Sequence, residues 1–132
     1  MTAYRSRHFL LAASAALAFA LSHTAAASPQ APAKDEIDHL LQYVAASSCT
    51  FMRNGSEYSA DKAREHLADK YRFVGSRIST AEEFIQYLAT KSSLSGEPYH
   101  VHCGKRDALS GEWLNAELVR YRKTPHVQQA AR

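Results

Sequence analysis

The sequence has only two cysteines, five glycines, four prolines and one tryptophan in 132 residues, and each shortage excludes something. So little glycine and proline rules out collagen-like and mucin-like repeats, and 22% charged against 45% hydrophobic residues rules out wholesale disorder. A chain of this length has room for one compact domain, which excludes a multidomain enzyme. There is no CxxC pair to build a redox site, no GxSxG, no SxxK at Ser92, Ser93 or Ser95 to present a catalytic serine there, and no internal repeat. No cofactor is expected.

Long apolar runs are also scarce, and the single one stands near the start. Arg5, Arg7 and His8 precede Phe9 to Leu21, 13 residues interrupted only by Ser14, and Ala25-Ala26-Ala27 then offers small residues before Ser28. Charged start, apolar middle and small-residue end together read as a secretory signal over residues 1–27. The run is too short at about 1.5 Å per residue to cross a hydrocarbon layer of about 30 Å, so no permanent membrane anchor is expected. Export places the domain in the periplasm or outside the cell. Cleavage near Ala27 removes two arginines, leaving 14 basic against 13 acidic residues, a formal charge of +1 in place of +3. A near-neutral chain with no Lys/Arg stripe has no footprint for nucleic acid.

Both cysteines, Cys49 and Cys103, remain in the exported part, where an even count in a small domain reads as a disulfide. The bond closes a loop of 54 positions, for which chain entropy predicts about 4 kcal/mol of stabilisation.

Periodicity divides the rest. Residues 28–34 read as a flexible leader, and Asp35-Glu36 opens a first helix with Ile37, Leu40, Leu41 and Val44 on one stripe. Cys49 to Arg53 has strand composition and stops at Asn54-Gly55, a strong turn dipeptide. Ser59 is the expected cap of a second helix carrying Ala63, Leu67, Tyr71 and Val74 inward and ending at Gly75. Thr80-Ala81-Glu82-Glu83 is a capping box before a third helix with Phe84, Ile85 and Leu88 buried. Residues 91–98 are loop, Tyr99 to Cys103 alternates as a second strand, and Ser110 is expected to cap a last helix with Trp113, Leu114, Leu118 and Tyr121 inward. Residues 35–122 thus form one small helix-dominated α+β domain, ordered αβααβα, and residues 123–132 a disordered tail. Antiparallel pairing that sets Cys49 opposite Cys103 also sets Phe51 opposite Val101 and Arg53 opposite Tyr99, making a two-stranded ribbon with one shared face. The Asn54-Gly55 turn and the 92–98 loop then meet at one end.

Several blocks carry a family resemblance: Phe51-Met52-Arg53-Asn54-Gly55, Ala63 with His66-Leu67, Thr80 to Ile85, and Ser92 to Tyr99. Together, over residues 36–122, the chain resembles the YfeK-like family of small exported bacterial proteins, a domain of unknown function. The resemblance implies a periplasmic or secreted single domain and brings no activity, cofactor or catalytic residue with it. The disulfide rests on this chain's own cysteines.

Three constellations bear on function. His100 and His102, two apart on a strand, point the same way and could grip zinc or copper, but only two ligands are local and Cys103 is consumed by the disulfide. A hydrolytic reading takes Ser92, Ser93 or Ser95 as nucleophile, His66 as base and Glu57, Glu65 or Glu97 as orienter. The third is the converging polar end, with Arg53 and Asn54 from one segment, Ser92, Ser93 and Ser95 from another, and Tyr58 and His66 as further candidates nearby. Planar arginine donors beside compact hydroxyls suit a carboxylate, a phosphate or a partner's backbone. The preferred reading is a non-catalytic binding module for a protein or a small polar or anionic ligand. A small hydrolase or metal-binding protein is the alternative.

Overall fold

The computed structural model describes residues 30–125. The segment read as a secretory signal lies outside them, as does the tail from residue 126. Eight elements follow in the order αββααββα: α1 (Gln30–Ala46), β1 (Thr50–Arg53), β2 (Ser56–Tyr58), α2 (Ala60–Val74), α3 (Ala81–Phe84), β3 (His100–Cys103), β4 (Arg106–Leu109) and α4 (Ser110–Lys123). The α+β class and the helical dominance agree with the sequence. The strand count does not: the sheet has four antiparallel strands in the order β2-β1-β3-β4, where two were expected.

The two central strands pair as expected, with Phe51 opposite Val101, Thr50 opposite His102 and Met52 opposite His100. The Cys49–Cys103 disulfide sits at the end of this pairing, its Cα atoms 4.5 Å apart. Each additional strand is the return arm of a tight hairpin. Asn54 and Gly55, with φ of 50° and 75°, both occupy the left-handed region that a two-residue turn with the twist of its strands requires, and β2 folds back on β1. Gly104, with φ of 64°, starts the corresponding turn from β3 to β4. Ser56-Glu57-Tyr58 and Arg106-Asp107-Ala108-Leu109 are short and carry charge, which hides them from a periodicity search and suits them to be sheet edges.

The helices cover one face of the sheet. Ile37, Leu40, Leu41 and Val44 of α1 meet Leu67 of α2, Phe84, Ile85 and Leu88 after Thr80, Leu114 and Leu118 of α4, and Phe51 and Val101 from the sheet. Tyr71, Trp113 and Val74 pack against this core from its margin. The α1 helix begins at Gln30, five residues ahead of the expected start, so residues 30–34 are helical where a leader was expected.

Caps fall close to expectation. The Ser59 hydroxyl accepts from the Lys62 amide at 3.3 Å, and the Thr80 hydroxyl accepts from the Glu83 amide at 3.1 Å. The Glu83 carboxylate reaches back one residue further than a capping box demands, to the Ser79 amide at 2.6 Å. Two ends differ. Gly75 is right-handed and opens a 3₁₀ turn through Arg77, so it does not terminate α2 in the left-handed form. Ser110 is not a side-chain cap: it is buried inside α4, and its amide donates to the Tyr99 carbonyl at 2.8 Å. Close approach explains Gly111 beside it, where a Cβ would stand 2.8 Å from the Thr90 hydroxyl oxygen.

A buried carboxylate ties α1 to α4. Glu117 accepts from Arg120 at 2.7 Å and lies 2.5 Å from His39 Nε2. Arg122 joins Glu36 and Glu82, linking α1, α3 and α4 at the surface.

Candidate functional site

α3 does not close as an α-helix. Residues Ile85–Ala89 widen into a π-helical turn, which leaves carbonyls without their usual acceptor role inside the helix. The Thr90 hydroxyl takes the Ile85 carbonyl at 2.8 Å, and the Lys70 ammonium takes the Leu88 carbonyl at 2.7 Å. Lys70 is thereby drawn off the surface of α2, half-buried, with its Nζ 5.4 Å from the centre of the Tyr99 ring. Tyr99 is held in turn, its amide donating to the Thr90 carbonyl at 2.9 Å.

Arg53, the last residue of β1, faces the same region. Its guanidinium lies against the His66 ring, one nitrogen 2.8 Å from Nδ1 and 3.0 Å from Nε2, and donates to the Tyr58 hydroxyl at 3.1 Å, while lying 4.6 Å from the centre of the Tyr58 ring. Nε2 of His66 also faces the Tyr99 hydroxyl, 3.5 Å away. Burial holds the His66 imidazole below its ordinary pKa, and the charges of Arg53 and Lys70 lower it further. Burial also lowers the Lys70 ammonium, with Arg53 adding to the effect, and burial raises the Tyr99 phenol. These shifts record two cations and a neutral imidazole sharing a small, partly dry space.

The loop that follows closes the cleft. Ser92 is buried and its hydroxyl accepts from the amides of Leu94 and Ser95 at 3.3 Å each, while its own amide donates to the Glu97 carbonyl. The Ser95 hydroxyl donates to the Asn54 side-chain oxygen at 2.7 Å. The hairpin turn and the loop therefore do meet at one end. Between them lies a cleft walled by Arg53, His66, Lys70 and Tyr99, with Asn54, Ser92, Ser93 and Leu94 at its edge. None of those lining residues is a carboxylate. Nor does Arg53 or Lys70 form an ion pair among the described residues, the nearby acids being engaged elsewhere, Glu65 with Lys62 and Asp69 with Arg72. A second cavity of about 230 Å³ opens on the other side of Arg53, His66 and Tyr99.

Of the residues picked from sequence, Arg53, Tyr58 and His66 are thus bonded to one another, and Asn54 and Ser95 to each other. Ser92 serves its own turn and Ser93 borders the cleft. Lys70 and Tyr99 were missed as site residues, Tyr99 because it reads as a buried strand position and Lys70 because it reads as an ordinary helix lysine. Lys70 stands four residues after His66, which places both on one face of α2, and that spacing was the available signal.

The rival constellations are placed differently. No serine hydroxyl is bonded to His66, whose neighbours are Arg53 and Tyr99, and Glu57 and Glu97 are exposed away from it. His100 and His102 lie on the opposite face of the sheet, each near Asp107 with Nδ1 3.7 and 3.6 Å from the same carboxylate oxygen. Among the described residues, no group of three or more His, Cys, Asp or Glu side chains is placed to hold a metal. None of the helices there is long and apolar enough to cross a membrane.

Comparison with known proteins bears on this geometry. Residues 31–122 match a family described as a family of unknown function, DUF5329. The chain belongs to this family. The matched range takes in all eight elements but for one residue at each outer end, and contains the whole cleft. The uncharacterized protein YfeK of Salmonella typhimurium is 44% identical over 50 residues, which is 38% of this chain and 42% of YfeK. The similarity thus spans less than half the length of that relative, and it agrees with the resemblance read from the sequence blocks. No solved structure matches the chain.

Proposed function

We propose that this member of DUF5329 is an exported, periplasmic binding module for a small anionic ligand, held in the cleft between β1, α2 and the 92–98 loop. One observation carries the reading: Arg53 and Lys70 line a single cleft that contains no carboxylate. Half-buried cations without a counter-ion are costly to hold, and a bound carboxylate, sulfate or phosphate relieves that cost with charge-assisted hydrogen bonds. Arg53 is pre-aimed by His66 and Tyr58, Lys70 by the Leu88 carbonyl, so little side-chain freedom is lost on binding. Export is supported by the charged, apolar and small-residue pattern of residues 1–27, and the disulfide accords with an oxidising compartment.

Sulfate, whose charge is constant above pH 3, is the probe of choice. Calorimetric titration of the disulfide-bonded chain is expected to give saturable binding, and sulfate at a hundred times its Kd to raise stability by about 2.7 kcal/mol. Arg53→Ala and Lys70→Ala are each expected to abolish the titration while the circular dichroism spectrum is retained. Failure of the unmodified chain to bind sulfate, acetate and phosphate alike would remove the proposal.

A further inference from the structure

The anion cleft has a second chamber. Arg53, His66 and Tyr99 line the cationic cleft on one side and the cavity of about 230 Å³ on the other. The walls of that second cavity are chemically different: Phe51 from β1, Ala63 and Leu67 from α2, and the ring of Tyr58. Phe51 and Leu67 belong to the hydrophobic core, so the cavity is a gap where α2 does not close fully on the sheet. Lys62, Glu65 and Asp69 also line it and are already engaged, Lys62 with Glu65 and Asp69 with Arg72. At the mouth of the cationic cleft stands Leu94, 98% exposed, an apolar side chain that the fold leaves uncovered.

We infer that the ligand is an amphiphilic anion, a small molecule whose acidic group rests on Arg53 and whose short alkyl or aryl portion enters the cavity lined by Phe51, Ala63 and Leu67. This inference rests on the anion-binding reading and specifies its ligand class. The guanidinium faces both chambers, so one anion held on it can direct its remaining atoms away from water. Burying that portion supplies the hydrophobic contribution that a bare inorganic anion lacks. A purely hydrophilic anion would leave the second cavity unused, and a neutral apolar molecule would leave the two cations unrelieved.

The test is a chain-length series, acetate, butanoate, hexanoate and octanoate, titrated calorimetrically into the disulfide-bonded chain, with octylammonium as the head-reversed control. Each enclosed methylene is expected to tighten binding about fourfold until the cavity is full, so with about three of octanoate's extra methylenes enclosed it is expected to exceed acetate by about a hundredfold. Octylammonium is expected not to bind. Ala63→Leu, which fills the cavity, is expected to bring the octanoate-to-acetate ratio close to one. The series on the unmodified chain decides the matter if that variant fails to fold. Equal affinity for acetate and octanoate would overturn the inference while leaving the anion site standing. Octylammonium binding as tightly as octanoate would overturn it in favour of unselective apolar adsorption. Absence of binding by every anion, sulfate included, would remove the anion site and the inference together.

Discussion

Opening the Cys49–Cys103 bond is the perturbation whose magnitude follows most directly from the structure. The two residues are 54 positions apart, and the loop they close contains β1, β2, α2, α3 and β3 with all four cleft walls, Arg53, His66, Lys70 and Tyr99. Only α1, β4 and α4 lie outside it. Cross-linking a loop of this length removes enough entropy from the unfolded chain to stabilise the fold by about 4 kcal/mol. The native state gives little of this back, since the cysteines extend a register that β1 and β3 already hold through three residue pairs. Against a total stability of about 5–15 kcal/mol for a domain of this kind, the loss is large. Guanidinium unfolding of the oxidised chain and of the Cys49→Ala/Cys103→Ala variant is expected to differ by about 4 kcal/mol, equivalent to about 15–30 °C in melting temperature. The slope of the transition is expected to rise in the variant, because its unfolded state is less compact and exposes more surface. A loss below about 1 kcal/mol with an unchanged slope would refute the reasoning: the unfolded chain would then be as confined without the bond as with it.

Other perturbations have equally definite outcomes. Gly111→Ala places a methyl 2.8 Å from the Thr90 hydroxyl oxygen and is expected to cost about 1–3 kcal/mol in urea unfolding, with partial recovery in the Gly111→Ala/Thr90→Ala double variant. The folded-state pKa of His66 lies below its unfolded value, so stability is greatest above about pH 6.5 and falls as the pH drops through that value, where the unfolded chain takes up a proton that the fold resists. The same proton favours an anion in the cleft, so sulfate affinity is expected to rise as pH is lowered from 8 to 5, and His66→Gln to flatten that profile in calorimetry. Burial disfavours the charged Glu117 carboxylate, yet its bonds from Arg120 and His39 hold its pKa below the usual carboxylate range. Its contribution is therefore present above about pH 4.5 and is lost as pH falls further, and Glu117→Gln is expected to remove about 1–2 kcal/mol at pH 7 with a shallower acid limb in thermal melts.

The helices were legible because each carries its own evidence. Ile37, Leu40, Leu41 and Val44 recur at helical spacing, Ser59 and Thr80 announce the starts, and all of these behave locally. The two edge strands carry no such signal: Ser56-Glu57-Tyr58 is a strand only because Asn54-Gly55 turns the chain back onto β1, so the turn residues held the information and the strand residues did not. The same limit applies to the site. Arg53, Asn54 and Ser95 could be grouped from sequence because one disulfide and one turn place their segments at the same end. Lys70 could not, since what brings it inward is the Leu88 carbonyl freed by a π-helical turn eighteen residues later, a feature that no local pattern in residues 81–90 announces.

The disulfide and the cleft are connected through strand register. Side chains alternate across a strand, so Arg53 faces α2 only if Phe51 faces the core, and Phe51 faces the core only in the register that pairs it with Val101. A slip of one residue between β1 and β3 would send Arg53 to the opposite face, beside His100 and His102, and would part Cys49 from Cys103. The bond therefore excludes the one misalignment that would dismantle the cation pair while keeping the hairpin intact. It also follows that the tie is needed at that end. At the other end the bond from Ser95 to Asn54 ties the loop that leads into β3 to the turn that ends β1. With both ends fixed, the position of the Arg53 guanidinium relative to Lys70 and Tyr99 is set by backbone geometry, and ligand binding is left to act on charges that are already in place.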